Sequence, residues 1–535
     1  MELTRENFYE VEPILLKDIE NSEFIAFDLE FSGLIKSKFK IYDSSEEKFQ
    51  KSKYMAENYR IIQVGITPFI KKESNNNKEY IAKPYNIYAF PSEKQSNNKF
   101  DFFLDSIIFN REHGCDFNKW ISQGVPYLNN ENLKKLTERL MAGNINKYDP
   151  KNISAFKNIV LYKEQVNIRY KDFYDRFMNF YNNKDEKILK HEKIVRHLML
   201  YFLNKLDEDI RKKIFIEYKD EIIGEDVKSY LLIHKLNSYE EKLQKINQEN
   251  NEIIALIKKE KGIKNIIEKI ISSKKPIVGH NCFIDLLFIM SHFMDDIPKN
   301  FHTYKLKLKN EFGGGIYDTK YLYNTSNLNF GENLNESNNK DNINLECLYT
   351  NLYEKNEKLE NNQKIIVEIP KNEKFINYFD ENEKNKEKKF HQADYDSFTT
   401  GCVYLYLKNI LGEKFIKDGE NKLNCYHGLY QCFDLNNLNE EEKYYNNSSD
   451  AFILLFNEKL YENNEIRMKI NEEVIESKYI NYKINSKDIG KAYIIFINSQ
   501  NKNNFFEVCS KYMNYINIKT IIEYRESLKN KIINK

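Results

Sequence analysis

The stretch FIAFDLEFSG at residues 24–33 constrains this chain more than any other. Phe24, Ile25, Ala26 and Phe27 read as a buried strand, yet Asp28 and Glu30 break into its end. Residues two apart on a strand face the same way, about 6–7 Å apart along the chain, so both carboxylates share one face. Burying one carboxylate is costly, and burying two like charges costs more. A divalent cation removes that cost. Hard oxygen ligands suit Mg²⁺ or Mn²⁺, and two such ions about 4 Å apart can serve the attacking water and the leaving oxygen of a phosphodiester. On the strand alone, a pair of solvent-facing edge residues is an equally good reading; the apolar neighbours tilt the balance toward metal.

Two further segments carry isolated acids in apolar surroundings. In IVGHNCFIDLLFIMSHF, residues 277–293, a short strand runs directly into an apolar helix, and Asp285 is its only acid. Asp285 falls early in that helix, near the C-terminal end of the strand, where α/β proteins place ligands. Asn281 is the expected N-cap. Alone, Asp285 would read as a helix-face aspartate pointing at water. In FHQADYDSFTTG, residues 390–401, Asp396 begins an apolar helix expected from about 394 to 410. His391 precedes it by five residues, on the incoming loop. A histidine beside metal ions can take a proton from water when its pKa lies near neutrality. Any one of nine histidines is more often an incidental surface residue; it is the combination of the five residues that points to chemistry.

The rest of the chain supplies a frame. Residues 8–20 read as a short helix, 23–29, 59–67 and 84–90 as a three-stranded meander, and 101–115 as helical. Strands are expected at 276–279 and 315–319, loops at 325–342 and 356–388, and a connector with some strand at 411–449. Residues 131–270 are rich in Lys and Glu and nearly free of Gly and Pro, which predicts a helical insert or small second domain with solvated faces. Residues 450–525 run strand, helix, strand, strand, helix, strand, the order of an RRM-like α+β sandwich. A length of 535 residues suggests about three or four domains. The 82 Lys and Arg against 81 Asp and Glu exclude a protein that coats nucleic acid by bulk charge, though not a local basic groove. Seven cysteines without a C-x-x-C pair fit a reducing compartment and offer no zinc cluster. The acidic start and the lack of any apolar run near ~18 residues predict neither a secretory signal nor a membrane span.

FDLEFSG at 27–33, IIQVGITPF at 61–69, IVGHNCFIDLLFIMSHF at 277–293, YDTKYL at 317–322 and HQADYDSFTTG at 391–401 together resemble the poly(A)-specific ribonuclease (PARN) family, CAF-type exonucleases of the DEDD class. GCDFNKWISQGVPYL at 114–128 is similar to a stretch characteristic of that branch. The resemblance covers about 1–130 and 265–410, and more weakly 440–525. It implies an α/β, RNase H-like mixed sheet with helices on both faces, a mostly helical insert and a C-terminal RRM-like sandwich. The expected layout is a nuclease domain in two parts, 1–130 and 266–412, around an insert at 131–265, then a connector at 413–449 and an RRM-like domain at 450–525.

By motif, Asp28, Glu30, Asp285 and Asp396 correspond to the family's four acidic metal ligands and His391 to the general base of its histidine-bearing subclass. The resemblance implies a metal-dependent 3′-to-5′ exoribonuclease using two Mg²⁺ ions, with Mn²⁺ as a substitute. One ion would be held chiefly by Asp28 and Asp396, the other by Asp28 with Glu30 and Asp285. The substrate would be single-stranded RNA with a free 3′-hydroxyl, poly(A) by family likeness alone, and the products nucleoside 5′-monophosphates. A homodimer follows from the same likeness; a place in nucleus or cytoplasm and no membrane contact are expected from the cysteine usage, the acidic start and the lack of a long apolar run. The alternatives are an exonuclease that trims small non-coding RNA precursors and a catalytically inert RNA-binding scaffold, which would have lost a carboxylate or the histidine. A DNA proofreading enzyme fits residues 114–128 poorly. Three departures from the family stand out: Leu29 and Asp394 replace common glycines, and the insert lacks the arginine and histidine, three residues apart, of the family's small nucleic-acid-binding domain. No tryptophan follows Trp120, so a tryptophan stacked on an mRNA cap is not expected in the C-terminal domain.

Overall fold

The computed structural model describes the chain except residues 36–38, 41–42, 74–77, 96–98, 143–145, 147–162, 184, 193–195, 224–225, 329, 331–342, 372–389, 427–431, 438–450, 457–464, 467–468, 470–482, 485–490, 496–498, 521–522 and 525–535. The chain forms two compact units. One comprises Met1–Pro91, Asn98–Asn129 and Ile263–Lys535; the other comprises Ser92–Asn97 and Asn130–Gly262.

Among the described residues, the first unit is built on an eleven-stranded sheet. Its strands are β1 (Glu2–Leu3), β2 (Phe24–Phe31), β3 (Ile61–Lys71), β4 (Glu79–Ala82), β5 (Tyr85–Pro91) and β6 (Val125–Tyr127), with β7 to β9 lying in the other unit. The sheet continues with β10 (Ile277–Gly279), β11 (Ile316–Asp318), β12 (Ile366–Glu368), β13 (Lys422–Asn424) and β14 (Cys432–Asp434). The centre runs β5-β3-β2-β10-β11. β3 is antiparallel to both its neighbours, whereas β2, β10 and β11 are mutually parallel. An opening antiparallel meander followed by parallel strands on the other side of the first strand is the RNase H-like arrangement expected from the sequence.

Alternation along β2 sends side chains into two cores. Ile25, Phe27, Leu29 and Phe31 pack with the helices Phe8–Asn21, Lys264–Ser273 and Phe283–Phe293, while Phe24 and Ala26 face the helix Ala393–Leu411. Helices therefore cover both faces. Asp28 and Glu30 fall on the Ala393–Leu411 side, and Leu29 is turned away from them into the opposite core.

The helix Ala393–Leu411 lies along β3 in steps of four residues against two. Gly65 opposes the Ala393 carbonyl, the Thr67 hydroxyl meets the Ser397 hydroxyl at 2.7 Å, and Phe69 fills the space over Gly401. Four helical residues advance about 6 Å and two strand residues about 6.7 Å, so the ladder stays nearly in phase.

Several expectations need correction. The insert is mostly helical, but it also holds an unanticipated three-stranded antiparallel sheet of β7 (Ile188–Glu192), β8 (Ile214–Ile223) and β9 (Asp226–Lys235) in the order β7-β9-β8. Ile214, Ile216, Leu231 and Ile233 pack against Phe173, Phe177 and Phe202. The Lys and Glu between these apolar residues are the outward half of a period-two pattern that resembles a solvated helix face. The stretch 356–388 contains β12, which pairs in parallel with β4, a tertiary contact that three residues do not announce. The helices Ser45–Asn58 and Leu345–Glu357 were also not foreseen.

At the C-terminus β15 (Ala451–Phe456), β16 (Lys483–Ile484), β17 (Lys491–Ile495) and β18 (Ile516–Thr520) form a four-stranded antiparallel sheet ordered β16-β17-β15-β18. Counted along the chain this is 4-1-3-2, the RRM-like order. Phe452 and Leu454 pack on Phe505 and Cys509 of the helix Ser499–Ser510. The expected first helix of this sandwich, around residues 472–476, lies outside the described residues. Among the described residues no helix is long and apolar enough to cross a membrane.

Candidate metal centre

Four carboxylates from three segments, β2 and the helices Phe283–Phe293 and Ala393–Leu411, converge where β2 ends. Asp28, Glu30 and Asp396 each offer an oxygen within 4.8 Å of the others. Asp285 joins them from the opposite core: its helix lies on the far face of the sheet, and the carboxylate reaches the backbone N–H of Leu29. Asp28 is the shared neighbour. Burial, then the charges of Asp396, Asp285 and Glu30, push its carboxyl well above the ordinary carboxylate range. Asp285 is raised to about 7 by burial, against the backbone hydrogen bonds that hold its charged form. Asp396 is raised to about 7, again mainly by burial, with the His391 N–H working in the other direction.

These residues fit divalent metal ions. The Oδ1 of Asp396 is buried without a hydrogen-bond partner among the described residues. Its Oδ2 accepts the His391 backbone N–H at 3.2 Å. A buried acceptor left open beside further carboxylates is a costly arrangement unless a cation completes it. The donors are all carboxylate oxygens, the set preferred by Mg²⁺ and Mn²⁺.

Gly65 makes room for this arrangement. It stands directly across from Asp28 in the β2–β3 register, and a Cβ there would lie 1.8 Å from the Ala393 carbonyl oxygen. Gly65→Ala is expected to push the start of the Ala393–Leu411 helix, and Asp396 with it, off the sheet. The overpacking should cost about 1–3 kcal/mol. Denaturant unfolding alongside a nuclease assay checks this; unchanged stability and rate would show that the close approach is not needed.

His391 sits at φ 71°, before the helix Ala393–Leu411, with its ring against Phe109 and His113. Asp394, the departure from the family glycine, is buried; one carboxylate oxygen lies 4.0 Å from the Met1 amine and the other accepts the Tyr395 N–H. Asn281 does not cap its helix. Cys282 holds the N-cap position, without a side-chain cap bond, and Asn281 adopts φ 55°.

The turn before that helix is held instead by Asp318, which the sequence carries in YDTKYL. Asp318, fully buried at the end of β11, accepts backbone N–H groups from Asn281 (2.9 Å), Cys282 (3.2 Å), Lys320 (3.0 Å), Tyr321 (3.3 Å) and Asn424 (2.9 Å). One carboxylate thus caps the helix Thr319–Thr325, steadies the turn into the helix bearing Asp285, and ties in β13. Its signal was present: an aspartate ending an apolar strand just before a helix.

Residues 114–128 support the centre without entering it. Trp120 is fully buried, its indole N–H donates to the Ala89 carbonyl at 2.6 Å, and the rings of Phe90, Phe100, Phe102 and Phe117 surround it. Cys115 lies close enough to Glu30 for that charge to help burial raise its thiol to about 12.

The family model described as CAF1 family ribonuclease matches residues 3–404. Among curated relatives, the chain is 26% identical over 449 residues to "Poly(A)-specific ribonuclease PARN" of Xenopus laevis, covering 79% of this chain and 65% of that one. It is 26% identical over 326 residues to "Pre-piRNA 3'-exonuclease trimmer" of Bombyx mori, covering 60% and 58%. The chain therefore spans less than two thirds of the length of these relatives. Among solved structures, S. pombe Pop2p in its Mg²⁺- and Mn²⁺-bound form matches 79% of this chain and 97% of that one at 12% identity, with a TM-score of 0.35. With its match running from residue 3 to residue 404, through Asp28, Glu30, Asp285, His391 and Asp396, the chain belongs to the CAF1 family of ribonucleases.

Proposed function

We propose that this chain is a divalent-metal-dependent 3′-to-5′ exoribonuclease, acting on single-stranded RNA with a free 3′-hydroxyl and preferring poly(A) tails. The observation that carries the reading is the meeting of Asp28, Glu30, Asp285 and Asp396 around one point, with a buried oxygen of Asp396 left open. Asp28, Glu30, Asp285 and Asp396 would hold two Mg²⁺ or Mn²⁺ ions, Asp28 serving both. When bound, such ions supply Lewis acidity to the attacking water and to the leaving 3′ oxygen. His391 is assigned to accept the proton of that water as its oxygen attacks the terminal phosphorus. Asp396 fixes the histidine's main chain through the N–H bond. Cleavage of the P–O3′ bond releases a nucleoside 5′-monophosphate, and the leaving 3′ oxygen takes a proton from solvent to become the new 3′-hydroxyl of the shortened chain. A homodimer and a nuclear or cytoplasmic location belong to the same proposal.

Adenosine preference draws on the relatives named as poly(A)-specific; the relative named as a trimmer favours a second reading, 3′-end trimming of small RNA precursors. Digestion of end-labelled A, U, C and mixed RNA oligonucleotides, with a 3′-phosphate RNA and a DNA strand as controls, separates them. Successive shortening from the 3′ end, fastest on oligo(A), is the expected result. Internal fragments at early times would overturn the exonuclease assignment, and equal rates on all four RNAs would favour trimming over tail shortening.

A further inference from the structure

The assignment of His391 as general base leaves open what fixes its ring. The bond from its N–H to Asp396 anchors the main chain, and two side-chain torsions set where the ring points. The φ of 71° also places His391 in a region that a residue with a Cβ rarely occupies unless its surroundings impose it.

Those surroundings come from a distant part of the chain. The His391 ring stands edge-on to His113 at 4.3 Å between centroids and to Phe109 at 4.9 Å. His113 is itself held. Its ring lies 4.2 Å from that of Phe109, and its Nδ1 lies 2.7 Å from the Phe109 carbonyl oxygen, which can only accept, so Nδ1 donates. Both residues sit at the end of the helix Leu104–Glu112. Asn110 of that helix donates from Nδ2 to the Phe31 carbonyl at 3.1 Å, one residue beyond Glu30. The helix then stops at Gly114, φ 86°, beside the Gln392 side chain. A short mechanical path therefore links β2, which carries Asp28 and Glu30, to the His391 ring through Asn110 and His113.

We infer that His113 is a positioning residue for His391: it forms the wall that sets the imidazole's orientation relative to the strand of metal-binding carboxylates. This rests on the exonuclease reading above. Misplacing a reacting group by about 1 Å can cost up to roughly a hundredfold in rate. His113 is half-buried at a helix end, so its replacement should leave the fold intact.

The test compares wild type, His113→Ala, His113→Phe, His391→Ala and the double variant His113→Ala/His391→Ala on single-stranded oligo(A) with saturating Mg²⁺, with melting curves for each. His113→Ala should lower kcat roughly tenfold at an almost unchanged KM. His113→Phe, which restores a ring, should recover most of that loss. In the His391→Ala background the second substitution should do no further harm. A wild-type kcat for His113→Ala, no recovery with phenylalanine, or effects that multiply in the double variant would each overturn the positioning role while leaving the exonuclease reading in place. Wild-type protein unable to shorten oligo(A), or Asp28→Asn retaining full activity in the same assay, would defeat the exonuclease reading and this inference together.

Discussion

Asp28→Asn should abolish RNA hydrolysis while leaving the melting temperature of the metal-free protein unchanged or raised. The two effects have one cause. Asp28 is the carboxylate that feels all the others: its carboxyl is pushed up by burial and by the charges of Asp396, Asp285 and Glu30. Without a cation it contributes repulsion to the folded state, and the neutral, nearly isosteric amide relieves it. With substrate and metal present the same carboxylate would be the shared ligand of the proposed centre, and its loss would remove several kcal/mol of charge stabilisation from the transition state. At about 1.4 kcal/mol per decade, the rate should fall by at least roughly a thousandfold. Melting curves and oligo(A) digestion on one preparation decide the matter. A variant that melts normally and digests at the wild-type rate would remove Asp28 from the centre.

How much of this was legible beforehand depends on how far apart the interacting residues lie. The pairing of Asp28 with Glu30 on one face, and the opposite orientation of Leu29, follow from the period of a strand and could be read locally. So could the apolar helices that bring Asp285 and Asp396. The turn that supports Asp285 could not. Asn281 looks like an N-cap in sequence, but the carboxylate that holds this turn arrives from Asp318, 37 residues away, across a parallel strand pair. Gly65 is similar: nothing in IIQVGITPF says that a helix carbonyl more than three hundred residues later will occupy the place of its side chain. The helix Ser45–Asn58 is the opposite case. Ser44 and Glu47 form a capping box whose S-x-x-E pattern stands in the sequence, overlooked because the helix behind it is strongly polar. In the insert, strands whose outward residues are Lys and Glu carry the same composition as solvated helices, so composition favoured the wrong element in β7 to β9.

Removing metal should change both activity and the pH dependence of stability. In the metal-free protein Asp285 and Asp396 are raised to about 7, in each case chiefly by burial. Their ordinary range is near ~4, so between about pH 4 and pH 7 the unfolded chain has released protons that the folded chain still holds. With fewer protons bound in the unfolded state than in the native one, stability falls as pH rises through that window. Below it both states are protonated, and above it the native state bears the full cost of crowded charges. The metal-free protein should therefore melt lower at about pH 8 than at about pH 5.5, once other groups are matched by an Asp285→Asn/Asp396→Asn reference. Mg²⁺ or Mn²⁺ binds the deprotonated carboxylates and competes with protons, so the gain in melting temperature on adding metal should be larger at the higher pH. Excess EDTA should at the same time bring oligo(A) digestion to background, and added Mg²⁺ should restore it. A melting temperature indifferent to metal at both pH values, or undiminished hydrolysis in EDTA, would mean that the four carboxylates do not form a metal centre.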